Sequence, residues 1–233
     1  MCGRYSLTGP NPAQVRARFG LEESVEVRRR FNVAPGDDVV CVTTAKDGAP
    51  RGDVLRWGLV PHWARDPATG FKMINARAET VADKPAYRDA FARRRCLVVA
   101  DGFYEWRREP DGRKAAHWIT RADGEPFAFA GLWATWRRER EDPLALRTCS
   151  IVTTAANARV AELHDRMPVI LPPEAEAAWL DPATPMPVLH ELLRPFPAVD
   201  TALRPVGPAV NDARYDGPEC LDPPPAPAVQ TLF

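Results

Sequence analysis

Apolar residues run along this chain in short blocks separated by turn-forming Gly, Pro, Asn and Asp. Val39-Val40-Cys41-Val42, Cys96-Leu97-Val98-Val99-Ala100, Ser150-Ile151-Val152-Thr153 and Pro168-Val169-Ile170-Leu171 read as short, mostly buried strands. Val54 to Val60 is a further apolar stretch, closed by Pro61. Trp118-Ile119-Thr120, a turn at Asp123-Gly124 and the run Phe127 to Trp136 together predict a hairpin. Phe31 to Gly36 reads as a loop. Helix signals are fewer. Asn11 caps a helix with Pro12 at its first position and Gly20 as its stop. Asp83 suits the cap of a helix from about Pro85 to Arg94. Pro172-Pro173 open a helix through Trp179, and another spans about Val188 to Leu193.

Strands outnumber helices and do not alternate with them in βαβ order. The expected fold is therefore α+β: one domain of mostly antiparallel β-sheets with a barrel-like core and flanking helices. The domain is expected over residues 1–222. Pro223-Pro224-Pro225-Ala226-Pro227 then begins a stiff, extended, Pro-rich tail over residues 223–233.

Composition changes this picture in three places. The formal net charge is zero, so no overall basic field points to a nucleic-acid partner. The cations are nonetheless nearly all arginine, since Lys46, Lys72, Lys84 and Lys114 are the only lysines among 31 Lys and Arg residues. Arginine reads phosphates bidentately and stacks on bases, although a GC-rich genome explains the bias equally well. The runs Arg93-Arg94-Arg95 and Arg137-Arg138 read as solvated faces. The five cysteines, Cys2, Cys41, Cys96, Cys149 and Cys220, are scattered and contain no C-x-x-C pair, which argues against a zinc ribbon or a redox pair. No signal peptide or long apolar run is visible, so a reducing cytoplasm and no membrane are expected.

Cys2 carries the most distinctive chemistry. Methionine aminopeptidases remove Met1 when the next side chain is small, and Cys is small enough. The product is a 1,2-aminothiol, with a free amine and a thiol on adjacent carbons. An aldehyde forms an imine with the amine, and the thiol then closes a five-membered thiazolidine. In an unstructured peptide the amine titrates at about 7.7–8.0 and the thiol at about 8.5, so modest local help makes both reactive near neutrality. A buried, incidental cysteine is the alternative at this position. Three other segments set polar residues among apolar ones: Ile74-Asn75-Ala76-Arg77-Ala78-Glu79, Asp101-Gly102-Phe103-Tyr104-Glu105-Trp106 and His164-Asp165-Arg166-Met167-Pro168. Between two aromatics, Glu105 is expected to be partly desolvated and raised toward an acid/base range; taken alone it reads better as a surface carboxylate on an edge strand. His164 suits a loop donor, whereas His62, His117 and His190 read as structural.

Taken together, these segments resemble one family. Met-Cys-Gly-Arg, Asn-Val-Ala-Pro-Gly, Arg-Trp-Gly-Leu-Val-Pro, Asn-Ala-Arg-Ala-Glu-Thr, Ala-Asp-Gly-Phe-Tyr-Glu-Trp, the strand with Thr153-Thr154, and His-Asp-Arg-Met-Pro-Val-Ile-Leu occur in the order seen in the SRAP family. These are SOS-response-associated, peptidase-like proteins that process abasic sites. The resemblance runs from Cys2 to about Pro223. It implies a covalent DNA–protein cross-link at abasic sites in single-stranded DNA, in a DNA-damage response, with Cys2 as nucleophile. Asn75 would position the Cys2 backbone, Glu105 would act as acid and base, and His164 would hydrogen-bond the opened sugar. Lyase activity through the same imine and self-removal of Met1 are further implications. Arg4 and Arg77 match phosphate-contacting positions, with Arg88 and Arg166 as weaker candidates. Asn32, Trp57 and Trp63 fall in segments that line the family's DNA path, although Trp57 suits the core equally well. The family often has a second aromatic after the tryptophan at position 63; here it is Ala64. No metal and no cofactor are implied. The expected state is a monomer, cytoplasmic and nucleoid-associated. The chain ends Val229-Gln230-Thr231-Leu232-Phe233, which loosely resembles peptides that dock on bacterial sliding clamps, with the Gln one position too close to Leu-Phe.

Two other function classes share some of these features. An N-terminal-nucleophile hydrolase, amidotransferase or peptidase, would also use Cys2, but the Asn-Gly oxyanion dipeptide of class II amidotransferases is absent. A non-covalent single-stranded DNA-binding module would use the arginines and aromatics and leave Cys2 structural.

Overall fold

The computed structural model describes residues 2–9, 11–139 and 145–226. In chain order it forms β1 (Tyr5–Leu7), α1 (Pro12–Phe19), β2 (Arg30–Val33), β3 (Asp38–Thr44), β4 (Pro50–Trp57), β5 (Asn75–Arg77), α2 (Arg88–Arg93), β6 (Arg95–Ala100), β7 (Gly102–Arg108), β8 (Lys114–Arg121) and β9 (Phe127–Trp136). There follow β10 (Leu146–Ala155), β11 (Arg166–Pro168), β12 (Ile170–Leu171), α3 (Pro173–Leu180), α4 (Met186–Glu191) and β13 (Thr201–Pro205). A five-stranded antiparallel sheet runs β13-β8-β7-β1-β2. In the second, eight-stranded sheet the run β10-β4-β3-β6-β9 closes into a barrel as β9 pairs back onto β10, with β5 and β11 pairing β10 and β12 pairing β9. Pairing is antiparallel except where β10 meets β4 and β5.

The continuous apolar runs follow from burial on both faces. One parity of the barrel strands, including Cys41, Leu55, Trp57, Val98, Phe129 and Ile151, packs on Tyr5, Phe103 and Ile119 of the five-stranded sheet. The other parity, including Val42, Leu97, Val99, Ala130 and Val152, packs on Phe19, Phe91, Trp179 and Leu189 from the four helices. The α+β class with mostly antiparallel sheets and a barrel-like core is therefore what the chain forms.

Several expectations need correcting. The Asp123-Gly124 turn forms, with Gly124 at φ 74°, but its flanks do not pair. β8 joins β7 and β13, while β9 crosses into the barrel to pair β6, β10 and β12. A turn signal fixes the chain reversal and not the strands' partners. Phe31 to Val33 belong to β2 instead of a loop. The helix expected from about Pro85 begins only at Arg88, because the Thr80 carbonyl accepts from both Asp83 and Lys84 and holds the preceding residues in turns. α4 starts at Met186, two residues early, with Leu189 N–H donating to the Pro185 carbonyl at 3.1 Å. Arg95 is not on a solvated face. It is buried, and its guanidinium donates to the carbonyls of Trp179, Phe91, Ala92 and Asp181 at 2.6–2.7 Å.

β2 forms the outer edge of the five-stranded sheet. There the Asp216 carboxylate accepts from the backbone N–H groups of Phe31 and Asn32 at 2.6 and 2.7 Å, and it also pairs with Arg30.

Candidate active site

β1 lies between β2 and β7, which fixes the residues just before it. The Arg4 carbonyl accepts from Tyr104 N–H at 3.0 Å. Tyr5 stands opposite Phe103; carried two residues back, this register places Gly3 against Glu105 and Cys2 beside it. Cys2 is 0% exposed. Its carbonyl accepts from Asn75 Nδ2 at 2.8 Å, and its Sγ sits 3.8 Å from the Arg4 carbonyl. Asn75 begins β5, held alongside Ile151 of β10, and its own carbonyl accepts from the Tyr87 hydroxyl at 3.0 Å. Asn75 Oδ1 is buried and has no partner among the described residues.

Glu105 is 4% exposed. Burial pushes its carboxyl from 4.5 up to about 7, and the Asp165 carboxylate adds to the rise. It therefore exchanges a proton near neutrality. Burial, with the Glu105 carboxylate second, pushes the Cys2 thiol well above its ordinary value. This corrects the expectation of a thiol poised near neutrality: at rest the sulfur keeps its proton. His164 lies between a 3₁₀ turn and β11, and Nδ1 accepts from the Arg166 N–H at 3.0 Å. Nδ1 also lies 2.9 Å from Asp165 Oδ1, and burial lowers the ring's pKa, so the ring is neutral. The Asp165 charge is felt at Glu105, so the His164-Asp165 loop lies within electrostatic reach of the carboxylate. Cys2, Asn75, Glu105 and His164, distant in sequence, thus converge.

The expected DNA-contacting residues divide. Arg77, Arg88 and Trp63 are exposed, Trp63 at 57%. Arg4 is partly buried, donating to Asn32 Oδ1 at 2.8 Å and the Val210 carbonyl at 2.9 Å, with its cation 5.9 Å from the Trp106 ring centre. Asn32 and Trp57 are corrected to structural positions, each 1% exposed. The Asn32 amide donates to the carbonyls of Asp212 and Tyr215 at 2.9 and 2.8 Å, which binds the C-terminal loops to β2. Trp57 packs edge-on to Tyr5 with ring centres 5.3 Å apart and donates its indole N–H to the Ile74 carbonyl at 2.9 Å, the residue before Asn75. Arg166 is committed to a bidentate pair with Glu79 at 2.5 and 2.9 Å and to the Thr153 carbonyl at 2.6 Å. Tyr87, which holds the Asn75 backbone, carried no sequence signal, and Trp106, noted in sequence only as a neighbour of Glu105, donates its indole N–H to Asn211 Oδ1 at 2.7 Å. Among the described residues, no group of three or more His, Cys, Asp or Glu side chains is placed to hold a metal, and no helix is long and apolar enough to cross a membrane.

Comparison with known proteins is consistent across sequence and fold. Residues 1–213 match the family model described as SOS response associated peptidase (SRAP). Over 227 residues the chain is 39% identical to the abasic site processing protein YoqW of Bacillus subtilis, covering 95% of this chain and 99% of that one. It is 33% identical over 235 residues to the abasic site processing protein YedK of Escherichia coli, covering 96% and 100%. A crystal structure of a protein from Bacteroides thetaiotaomicron superposes with a TM-score of 0.84 at 25% identity, over 95% of this chain and 99% of that one.

Proposed function

The chain belongs to the SOS response associated peptidase family, and we propose that it processes abasic sites by linking them covalently to Cys2 in single-stranded DNA. The observation that carries the reading is the clamp at Cys2: Asn75 holds the residue's carbonyl at 2.8 Å beside a buried carboxyl that titrates at about 7.

The reaction requires that Met1 be removed. An abasic deoxyribose in its open form presents a C1′ aldehyde. The Cys2 amine adds to that carbonyl and gives a carbinolamine. Protonated Glu105 delivers a proton to the new hydroxyl, which leaves as water, and a protonated imine forms. The Cys2 thiol then adds across the C=N bond. Sulfur bonds to C1′, the C=N electron pair returns to nitrogen, and the thiol proton passes to the Glu105 carboxylate, restoring the acid. The product is a thiazolidine, one water lighter than its reactants. A thiol held in its protonated form makes the amine the first nucleophile and the sulfur the ring-closing one. Neutral His164 suits a hydrogen bond to a hydroxyl of the opened sugar. Cleavage of the DNA strand from the imine, and self-removal of Met1, are side activities the same acid–base group would serve. The expected partner is single-stranded DNA bearing abasic sites, engaged by a monomer in a nucleoid-associated setting. Docking on a sliding clamp would rest on Val229–Phe233, which lie outside the described residues.

Mixing the protein with an abasic single-stranded oligonucleotide and measuring the intact mass of the product tests this reading. The expected mass is protein without Met1 plus oligonucleotide, less one water. Recovery of unmodified protein alone would refute it. A hydrolase of the N-terminal-nucleophile class is less well supported, since burial and Glu105 both oppose a resting thiolate; glutaminase assays are expected to show no turnover.

A further inference from the structure

Phe71 is the most exposed large hydrophobic ring among the described residues, at 64%, yet it is firmly held. It sits in the 3₁₀ turn Pro67–Lys72, whose start is capped by Asp66 accepting from Ala68 N–H at 2.8 Å. Gly58 and Gly70 press backbone against backbone: a Cβ on Gly70 would lie 2.5 Å from the Gly58 carbonyl oxygen, and one on Gly58 2.8 Å from that of Gly70. Gly36, at φ 96°, lets the ring edge approach so closely that a Cβ there would come within 2.9 Å of Phe71 Cε1. Two close approaches, made by three glycines, thus fix an aromatic ring in water. A ring left exposed forgoes its burial energy, and its fixed placement preorganises it for a partner.

Beside the ring is a cavity of about 260 Å³, walled in part by Gly36, Arg56, Val60, Ala68 and Phe71. Its size suits one planar heterocycle. Arg56 is exposed there, joined to Asp38 only by a loose 3.9 Å contact, and Lys72, next to Phe71, is exposed as well. Asp66, the acidic group on the wall, is already used in the turn's cap. Asn75 follows Phe71 by four positions, a reach of at most about 14 Å. A ring for stacking, a cation for phosphate or a polar base edge, and proximity to the Cys2 clamp occur together.

We infer that this cavity is a nucleobase subsite. An unpaired base near the abasic site stacks on Phe71, and Arg56 faces its phosphate or polar edge. The inference rests on the reading that the chain engages single-stranded DNA at such a site.

The test uses full-length protein and oligonucleotides carrying tetrahydrofuran, an abasic analogue without an aldehyde, so no covalent bond forms. A second tetrahydrofuran replaces each neighbouring nucleotide in turn, and fluorescence anisotropy gives the affinity of the wild type, Phe71→Ala and Phe71→Trp. At one neighbouring position, omitting the base is expected to weaken wild-type binding about tenfold. Phe71→Ala is expected to bind the parent oligonucleotide about tenfold more weakly, and to lose nothing further at that position. Phe71→Trp should restore both. The inference is overturned if Phe71→Ala binds the parent as the wild type does, or if base omission costs both proteins equally at every position. A wild type that binds none of the oligonucleotides overturns it too. Failure of the covalent reading shows elsewhere, as a missing adduct between wild type and a natural abasic site.

Discussion

Replacing Glu105 by Gln keeps the side chain's size and polarity and removes its charge. In the folded chain the carboxyl titrates at about 7 against an ordinary 4.5. At 4% exposure, water screens little of this difference, which corresponds to roughly 3 kcal/mol. The sign follows from the direction of the shift. The folded state holds the proton more tightly than the unfolded chain, so the stability tied to it is fully present below pH 4.5 and is lost as pH rises through about 7. Wild type therefore carries the cost of a buried charge in mildly alkaline solution, and the Gln variant does not. In urea denaturation, the variant's advantage should be roughly 2 kcal/mol larger at pH 8 than at pH 5. A midpoint difference of roughly 4–8 °C in thermal melts is the matching readout for a chain of this size. The variant should at the same time form the abasic adduct about 100-fold more slowly, and the fall in wild-type rate above pH 7 should vanish. Equal stability differences at both pH values would refute the buried-charge argument. An unchanged adduct rate would remove Glu105 from the chemistry.

Cys2→Ala should abolish the adduct, by gel shift or mass, while retaining most non-covalent DNA affinity. Cys2→Ser should give an imine that survives only after borohydride reduction, because oxygen closes a less stable ring than sulfur. Asn75→Ala removes a single hydrogen bond to the Cys2 carbonyl, so its cross-linking rate should fall about tenfold with little change in affinity for an aldehyde-free oligonucleotide. Arg166→Ala should cost about 1–3 kcal/mol of stability in chemical denaturation, because it strips a bidentate pair and leaves the Thr153 carbonyl without its donor, and it should weaken DNA binding by less than Arg77→Ala does.

The sequence carried the barrel strands well, because β6 and β9 are buried on both faces and such strands must be apolar throughout. It carried α1 through two local devices, the Asn11 cap and the left-handed Gly20. Pairing was not legible: nothing in Asp123-Gly124 tells the chain that β8 and β9 part into different sheets. Arg95 shows the same limit, since an arginine whose guanidinium meets two carbonyls of the preceding helix and two from the distant α3 end looks in sequence like any surface cation. Trp57 and Asn32 lie in motifs close to the site and support it from beneath. Proximity in a motif does not separate a residue that touches a substrate from one that holds its neighbour. Tyr87 gave no warning at all, because its hydroxyl acts on a backbone carbonyl that any residue type would supply.

Asp216 has a consequence for how the molecule behaves in a crowd. An outermost strand with unused amide hydrogens invites a second copy to lengthen the ribbon, and that is a common start of precipitation. By filling two such positions on β2 with one carboxylate, the chain makes its rim a poor template for self-association. Loss of that single side chain would free both amide hydrogens and leave the loops that Asn32 holds against β2 as the rim's remaining cover.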